Sequence, residues 1–300
     1  MRKDEKLTFY EGFSLLTITF LYHIFNEVIP NLTNDVGTSA WLAQVISACL
    51  GFGFLSLYLL LVSRYKNMDL LVIFDTVYGK IASKLMHVLL IIYLFAYTAS
   101  CINQAEETLQ LFAYTDMNSL TIDLFLMAAV AVYAVYSIKG MAKTVSLMLP
   151  IILVAIVMIL ALCHKQYDVN LLTPILGYGA GTTAYSGVKL VSEFGGIVVL
   201  GVFGASFGDH KTYKKTALWA IGIAAFIFIL STLCYNMAVP YTASKNQLTG
   251  VMGIAQANYT SRFMQRIESV FIAVTVMATL LLSGVGFLAI KKTYCHIFSI

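Results

Sequence analysis

Residues 41–63 read WLAQVISACLGFGFLSLYLLLVS and contain no Asp, Glu, Lys or Arg. Roughly 20 consecutive apolar residues in helical form cross the hydrocarbon core of a bilayer, so this stretch predicts a membrane-spanning helix. Three further stretches, 144–163, 217–240 and 270–290, are equally free of charged side chains. These four segments indicate an all-α membrane protein.

The composition of the whole chain supports this interpretation. Of its 300 residues, 59% are hydrophobic and only 11% are charged, whereas soluble domains carry about 25% charged residues. So few charges cannot cover a water-facing surface, and we predict one transmembrane domain over residues 1–300. Its eight predicted spans lie near 9–30, 41–63, 85–113, 120–138, 144–163, 183–207, 217–240 and 267–290.

The basic residues predict the orientation, because Lys and Arg collect in cytoplasmic loops. With a cytoplasmic N-terminus, one side of the membrane holds 14 of the 19 basic residues. These are Arg2, Lys3, Lys6, Arg64, Lys66, Lys80, Lys84, Lys139, Lys143, Lys211, Lys214, Lys215, Lys291 and Lys292. The other side holds Lys165, Lys245, Arg262 and Arg266, and Lys189 lies inside a span. Both ends of the chain are therefore expected in the cytoplasm.

Residue patterns typical of catalysis are absent from the sequence. The five cysteines are scattered singly, which suits neither a disulfide framework nor a metal site. No His, Asp or Glu cluster has metal-ligand spacing, and no Gly-rich phosphate loop is present. We therefore predict a protein that is not an enzyme and has no cofactor. The net charge of +4 reflects the membrane topology and not a nucleic-acid-binding surface. We therefore expect the chain to contact membrane lipid and no nucleic acid.

Two predicted spans are interrupted by polar residues. The first contains TFLYHIFNEVIP, residues 19–30, and the sixth contains GVKLVSEFGGIVV, residues 187–199. A charge at mid-membrane costs at least about 2.5–3.5 kcal/mol, so such groups are expected to face a cavity or a partner. The paired glycines at 195–196 weaken a helix, and we predict a helix break from Ser192 to Gly196.

The two interruptions lie in the first and the sixth predicted spans, and this placement is informative. Many secondary transporters consist of two inverted five-span repeats in which the first helix of each repeat is broken. This predicts a first repeat over about 7–165 and a second, incomplete repeat over about 174–300, with the last two spans of such a fold lacking.

Each interruption also carries a candidate i,i+4 pair, His23 with Glu27 and Lys189 with Glu193. Glu27 is equally consistent with an interfacial carboxylate. Lys189 could instead extend its amine toward water or form a neutral structural pair with Glu193.

A third polar set lies in the third span, where Tyr97, Thr98 and Cys101 are deep enough to line a cavity or simply to pack. The candidate ligand-binding residues are therefore Tyr22, His23, Asn26, Glu27, Tyr97, Thr98, Cys101, Lys189, Ser192, Glu193, Phe194, Gly195 and Gly196.

Three stretches carry motifs that are known from one family of membrane proteins. Its W-L-A start and G-K ending are matched by Trp41, Leu42, Ala43, Gly79 and Lys80. Its R-Y/F-P-x-x-x-L loop is matched by Arg64, Tyr65 and Leu70, but no proline stands between Arg64 and Leu70 in this chain. Its L-x-P-x-L-G-x-G stretch is similar to LLTPILGYGAG, through Leu172, Pro174, Leu176, Gly177 and Gly179. Its Q-R-x-E-x-x-F signature is similar to FMQRIESVF, through Gln265, Arg266, Glu268 and Phe271. Together the three stretches resemble the spore germination permease family.

The resemblance implies the fold of the amino acid–polyamine–organocation transporters. It also implies a B-type subunit of a germinant receptor in the inner membrane of a bacterial spore, acting with an A-type membrane subunit and a C-type lipoprotein. The leading hypothesis is a sensor of an amino-acid-like molecule. The alternatives are an amino-acid permease, with a proton carried by Glu193 or Glu27, and a scaffold subunit that binds no ligand.

Overall fold

The computed structural model describes residues 6–25, 28–65, 68–133, 135–246, 250, 254 and 265–298. Within these residues the chain is helical, and its one extended pairing is a parallel bridge between Leu7 and Phe207. The predicted all-α membrane fold is confirmed. The helices are α1 Phe9–Leu21, α2 Val28–Val36, α3 Ala40–Ser63, α4 Leu70–Phe112, α5 Ser119–Tyr133, α6 Ile138–Leu162, α7 Ala180–Lys189, α8 Ile197–Val202, α9 His210–Ala238 and α10 Gln265–Phe298.

Six of the eight predicted spans correspond to long apolar helices, and the other two lie in shorter apolar helices. Among the described residues, six helical stretches are long and apolar enough to cross a membrane. They are Val28–Ser63, Ile81–Phe112, Ile138–Leu162, Ala180–Val202, His210–Ala238 and Ser269–Phe298. The predicted first span is not one of them, because a 3₁₀ turn at Tyr22–Phe25 ends α1 after 13 residues. The predicted fourth span forms the 15-residue α5, which is shorter than about 20 residues.

Helix α4 bends at Gly79. This glycine has φ 71° and ψ 174°, a backbone conformation that L side chains rarely adopt. A Cβ atom at Gly79 would meet nothing within 4 Å, so the bend itself requires the glycine. The bend separates a helix that begins at Leu70 from the long span Ile81–Phe112.

Helix α1 occupies the centre of the bundle. Ten of its 13 residues are buried, including Glu11 near its start. It packs against α6 and α9, while α3 packs against α7 and α9. Large apolar side chains such as Phe95 and Phe125 are exposed on α4 and α5, as expected of helices that face lipid.

Contacts among loops and the terminal parts of helices define two ends of the molecule. At one end, Leu7 N donates to Ser206 O at 2.9 Å, and Lys292 Nζ lies 2.7 Å from Asp69 Oδ2. At the other end, Asp168 N donates to Met237 O at 2.9 Å. The first group joins segments predicted to be cytoplasmic, and the second joins segments predicted to face outward, which supports the predicted alternation of loops.

Candidate functional site

The sixth predicted span is broken where the sequence indicated. Helix α7 ends at Lys189, a 3₁₀ turn covers Leu190–Gly196, and α8 begins at Ile197. Phe194, at φ −86° and ψ 17°, leaves helical geometry inside this turn. The tighter i→i+3 bonding of a 3₁₀ turn in mid-helix is typical of strained or functional positions. The predicted break is therefore confirmed.

Glu193 is the buried acid of this break. It is 3% exposed, and its Oε2 accepts a hydrogen bond from Gln44 Nε2 of α3 at 2.7 Å. Its Oε1 has no hydrogen-bond partner among the described residues, and neither has Oε1 of Gln44. Burying a polar oxygen without a partner is costly, so this oxygen marks a position where a polar group would be stabilised.

The predicted pairing of Glu193 with Lys189 is wrong. Lys189 is exposed, and it forms no ion pair within the described part of the chain. The reason is the break itself, because i,i+4 side chains share one face only where the α-helix is continuous. In the turn, Glu193 points instead toward α3.

Small residues bring α1, α3 and the break close together. Phe194 is buried and packs against Phe20 of α1 with ring centroids 6.3 Å apart. A Cβ atom at Gly51 of α3 would lie 2.5 Å from Phe194, and one at Gly196 would lie 3.1 Å from Phe20. Close packing at the break thus favours glycine at both positions.

Tyr97 connects the third predicted span to the same region. Its hydroxyl donates to the carbonyl oxygen of Thr19 at 3.2 Å, just before α1 ends. Tyr93, one turn earlier, stacks on Tyr97 at 6.5 Å and places its hydroxyl where a Cβ of Gly195 would stand. The structure therefore groups Tyr97, Glu193, Phe194, Gly195 and Gly196 around the end of α1.

The first interruption is described only in part. Tyr22 and His23 belong to the 3₁₀ turn between α1 and α2, and His23 is half-buried. Asn26 and Glu27 lie outside the described residues, so the pairing of His23 with Glu27 stays a prediction.

Four other candidates do not join this group. Thr98 donates to the carbonyl of Leu94, contacts Gly286 of α10, and lines an apolar groove of about 500 Å³ between α4, α5 and α10. Cys101 is fully buried in the hydrophobic core. Lys189 and Ser192 are exposed, and the Ser192 hydroxyl donates back to Lys189 O at 3.2 Å.

Sequence reasoning missed the contribution of α3. Trp41, Gln44 and Ser47 follow one another at i,i+3 spacing, and Gln44 and Ser47 are fully buried. Trp41 Nε1 and Ser47 Oγ lack hydrogen-bond partners among the described residues. The span was identified by its lack of charge, and this criterion does not register neutral polar residues. A search for polar residues at helical spacing could have found this face.

The family model of spore germination proteins, a permease family, matches residues 7–300. The chain belongs to this family. No curated protein matches the chain. As a spore germination protein with six long apolar helices among its described residues, it is a multi-pass integral membrane protein associated with germination. The Trp41–Gln44–Ser47 face and the broken sixth span are thus features of a member of this family.

Proposed function

We propose that this chain senses germinant as one subunit of a spore germination receptor, by binding a small amino-acid-like molecule at the broken sixth span. The observation that supports the proposal best is the buried carboxylate of Glu193. One of its oxygens is held by Gln44, and the other is unpartnered within the described residues.

The chemistry of the surroundings fits a zwitterion. The ammonium group of an amino acid would satisfy Oε1 of Glu193, since charge-assisted hydrogen bonds are the strong ones at a buried site. Its carboxylate would meet backbone amides at the other break, where α2 begins, because the N-terminus of a helix favours anions. Phe20, Phe194 and Tyr97 would enclose the side chain of the ligand.

Binding at a break also offers a route to signalling. The turn at Leu190–Gly196 joins α7 to α8. A ligand that binds one conformation of this turn more tightly increases the population of that conformation, and with it of one arrangement of α7 and α8. The A-type and C-type subunits of the receptor would respond to that shift.

A proton-coupled amino-acid permease is the second candidate. It is favoured by one observation, namely that the buried Glu193 is paired with a neutral amide and not with a cation. A carboxyl group in such surroundings can take up and release a proton as its hydrogen bonding changes. This candidate requires substrate movement, whereas a sensor requires only binding.

The substitution Glu193→Gln tests both candidate functions. It keeps the shape of the side chain and removes the charge, so we expect germination in response to amino acids to fall at least tenfold. Ser192→Ala is the matched control, since Ser192 is adjacent but exposed, and it should germinate normally.

Two measurements on purified protein separate the alternatives. Binding of labelled amino acids to the wild-type chain, lost in Glu193→Gln, is expected for a sensor. Uptake into proteoliposomes driven by a pH gradient would establish the permease instead. Normal germination of Glu193→Gln spores, together with failure when the whole chain is deleted, would leave only the scaffold role.

A further inference from the structure

Three side chains from distant parts of the sequence converge at the predicted cytoplasmic end. Asp75 lies before the bend at Gly79, His87 lies after it, and His296 lies near the end of α10. His296 Nε2 is 2.7 Å from Asp75 Oδ2, and His87 Nε2 is 3.9 Å from Asp75 Oδ1. The two imidazole rings meet edge to face with centroids 5.1 Å apart.

The ligand atoms of these three residues all lie within 4.8 Å of one another. Ligands on a tetrahedral zinc ion, with bonds of 2.0–2.2 Å, lie about 3.3 Å apart, so the distances observed here bracket that spacing. Small rotations of the partly exposed Asp75 and His296 side chains would bring their ligand atoms and Nε2 of His87 around a common centre.

We propose that Asp75, His87 and His296 form a binding site for a divalent transition metal of the zinc class. Two imidazoles and one carboxylate suit Zn²⁺, Co²⁺ or Ni²⁺, whereas Mg²⁺ and Ca²⁺ prefer oxygen ligands. The three protein ligands leave a fourth position for water or for a group from a partner.

The hydrogen bonds of the cluster involve the same atoms that would hold the metal. Without metal, Nε2 of His87 donates to Leu71 O at 3.2 Å, and metal binding would replace that proton.

Access and rigidity are both provided by the surrounding structure. The side chains of Asp75 and His296 are 42% and 28% exposed, so an ion can enter from water, while His87, at 2%, is fixed by packing. Asp75 and His87 flank Gly79, and His296 belongs to α10. A bound ion would therefore fix the bend of α4 and attach it to α10.

The experiment uses the whole chain, purified in detergent through an affinity tag without histidine and stripped with EDTA. Titration with Zn²⁺ against a chromophoric chelator should show one ion per chain. Titration with Co²⁺ should give the intense visible bands of a tetrahedral site. We expect His87→Ala, His296→Ala and Asp75→Asn each to weaken Zn²⁺ binding at least tenfold.

The control is His164→Ala, which removes an exposed histidine outside the cluster and should bind Zn²⁺ like the wild type. Thermal unfolding without metal shows whether each variant is folded, and addition of Zn²⁺ should raise Tm only where the three ligands are intact. Equal Zn²⁺ affinity, or an equal rise of Tm, in folded wild-type and His296→Ala protein would overturn the proposal.

Discussion

The hydrogen bond between Gln44 and Glu193 joins two membrane spans at the candidate ligand site. Both side chains are buried, and the donor and acceptor are 2.7 Å apart. In a medium without water, each partner is the main source of stabilisation for the other. The contact therefore positions the carboxylate as well as contributing to stability.

Removal of one partner leaves the other buried and without its hydrogen bond. We expect Gln44→Leu to lower the free energy of unfolding by about 1–3 kcal/mol, because it leaves Oε2 of Glu193 buried without a donor. The double variant Gln44→Leu/Glu193→Leu should lose less than the sum of the two single variants, since no polar atom is then stranded. Reversible unfolding in mixed detergent measures all four proteins. Strict additivity would show that the two side chains are not coupled.

At this scale the sequence predicted one partner of the contact and missed the other. Glu193 was identified because a charge within an apolar span is costly. Gln44 was not, because a neutral amide in the same kind of span leaves the hydropathy signal almost unchanged. The predicted contact between Lys189 and Glu193 was wrong, because i,i+4 side chains meet in an α-helix and these two residues are joined by a turn that is not α-helical.

At the scale of elements, the loop before α7 is fixed to the loop before α3. Tyr178 N donates to Val36 O at 3.2 Å, and the Thr38 hydroxyl donates to Pro174 O. Gly177 lies at φ 53°, and a Cβ there would collide with the carbonyl oxygen of Val36. The L-x-P-x-L-G-x-G resemblance thus has a physical basis in the docking of the two predicted repeats.

Gly177→Ala should accordingly destabilise the protein by roughly 1–3 kcal/mol, through backbone strain and through the collision with Val36. Gly181→Ala is the matched control, since that glycine lies in α7 with open space around it, and alanine should be neutral or stabilising by up to about 1 kcal/mol. Thermal unfolding in detergent compares the two. Equal Tm values for both variants would contradict the proposed docking role.

The breaks illustrate how far element boundaries could be predicted. The glycine pair located the interruption of the sixth span, because glycine weakens a helix wherever it stands.

The metal cluster could not be found in the same way. Asp75 and His296 are 221 positions apart, and only the packing of α4 against α10 brings them together.

At the scale of the whole molecule, the loops sort into two groups that lie at opposite ends. Hydrogen bonds and an ion pair join Leu7, Asp69 and Ser206 of the loops and Lys292 of α10 at one end. The distribution of Lys and Arg assigns that end to the cytoplasm. The contacts establish which loops lie at the same end, and the assignment of that end to the cytoplasm follows from the distribution of charge.

Cysteine labelling tests the direction. Lys143 and Lys165 are both exposed, and the single helix Ile138–Leu162 separates them. In a variant whose five native cysteines are replaced, a membrane-impermeant maleimide should label Lys165→Cys in intact cells. Lys143→Cys should react only after the cells are permeabilised, because 14 of 19 basic residues hold its side of the membrane in the cytoplasm.

The pattern of labelling distinguishes the alternatives. If Lys143→Cys alone were labelled in intact cells, the protein would have the opposite orientation. The Asp75–His87–His296 cluster would then lie on the outer face. Labelling of both would mean that the helix between them does not cross. Only the expected pattern places the metal cluster in the cytoplasm, where partner subunits or cytosolic zinc could act on the bend of α4, while the ligand enters from the opposite end.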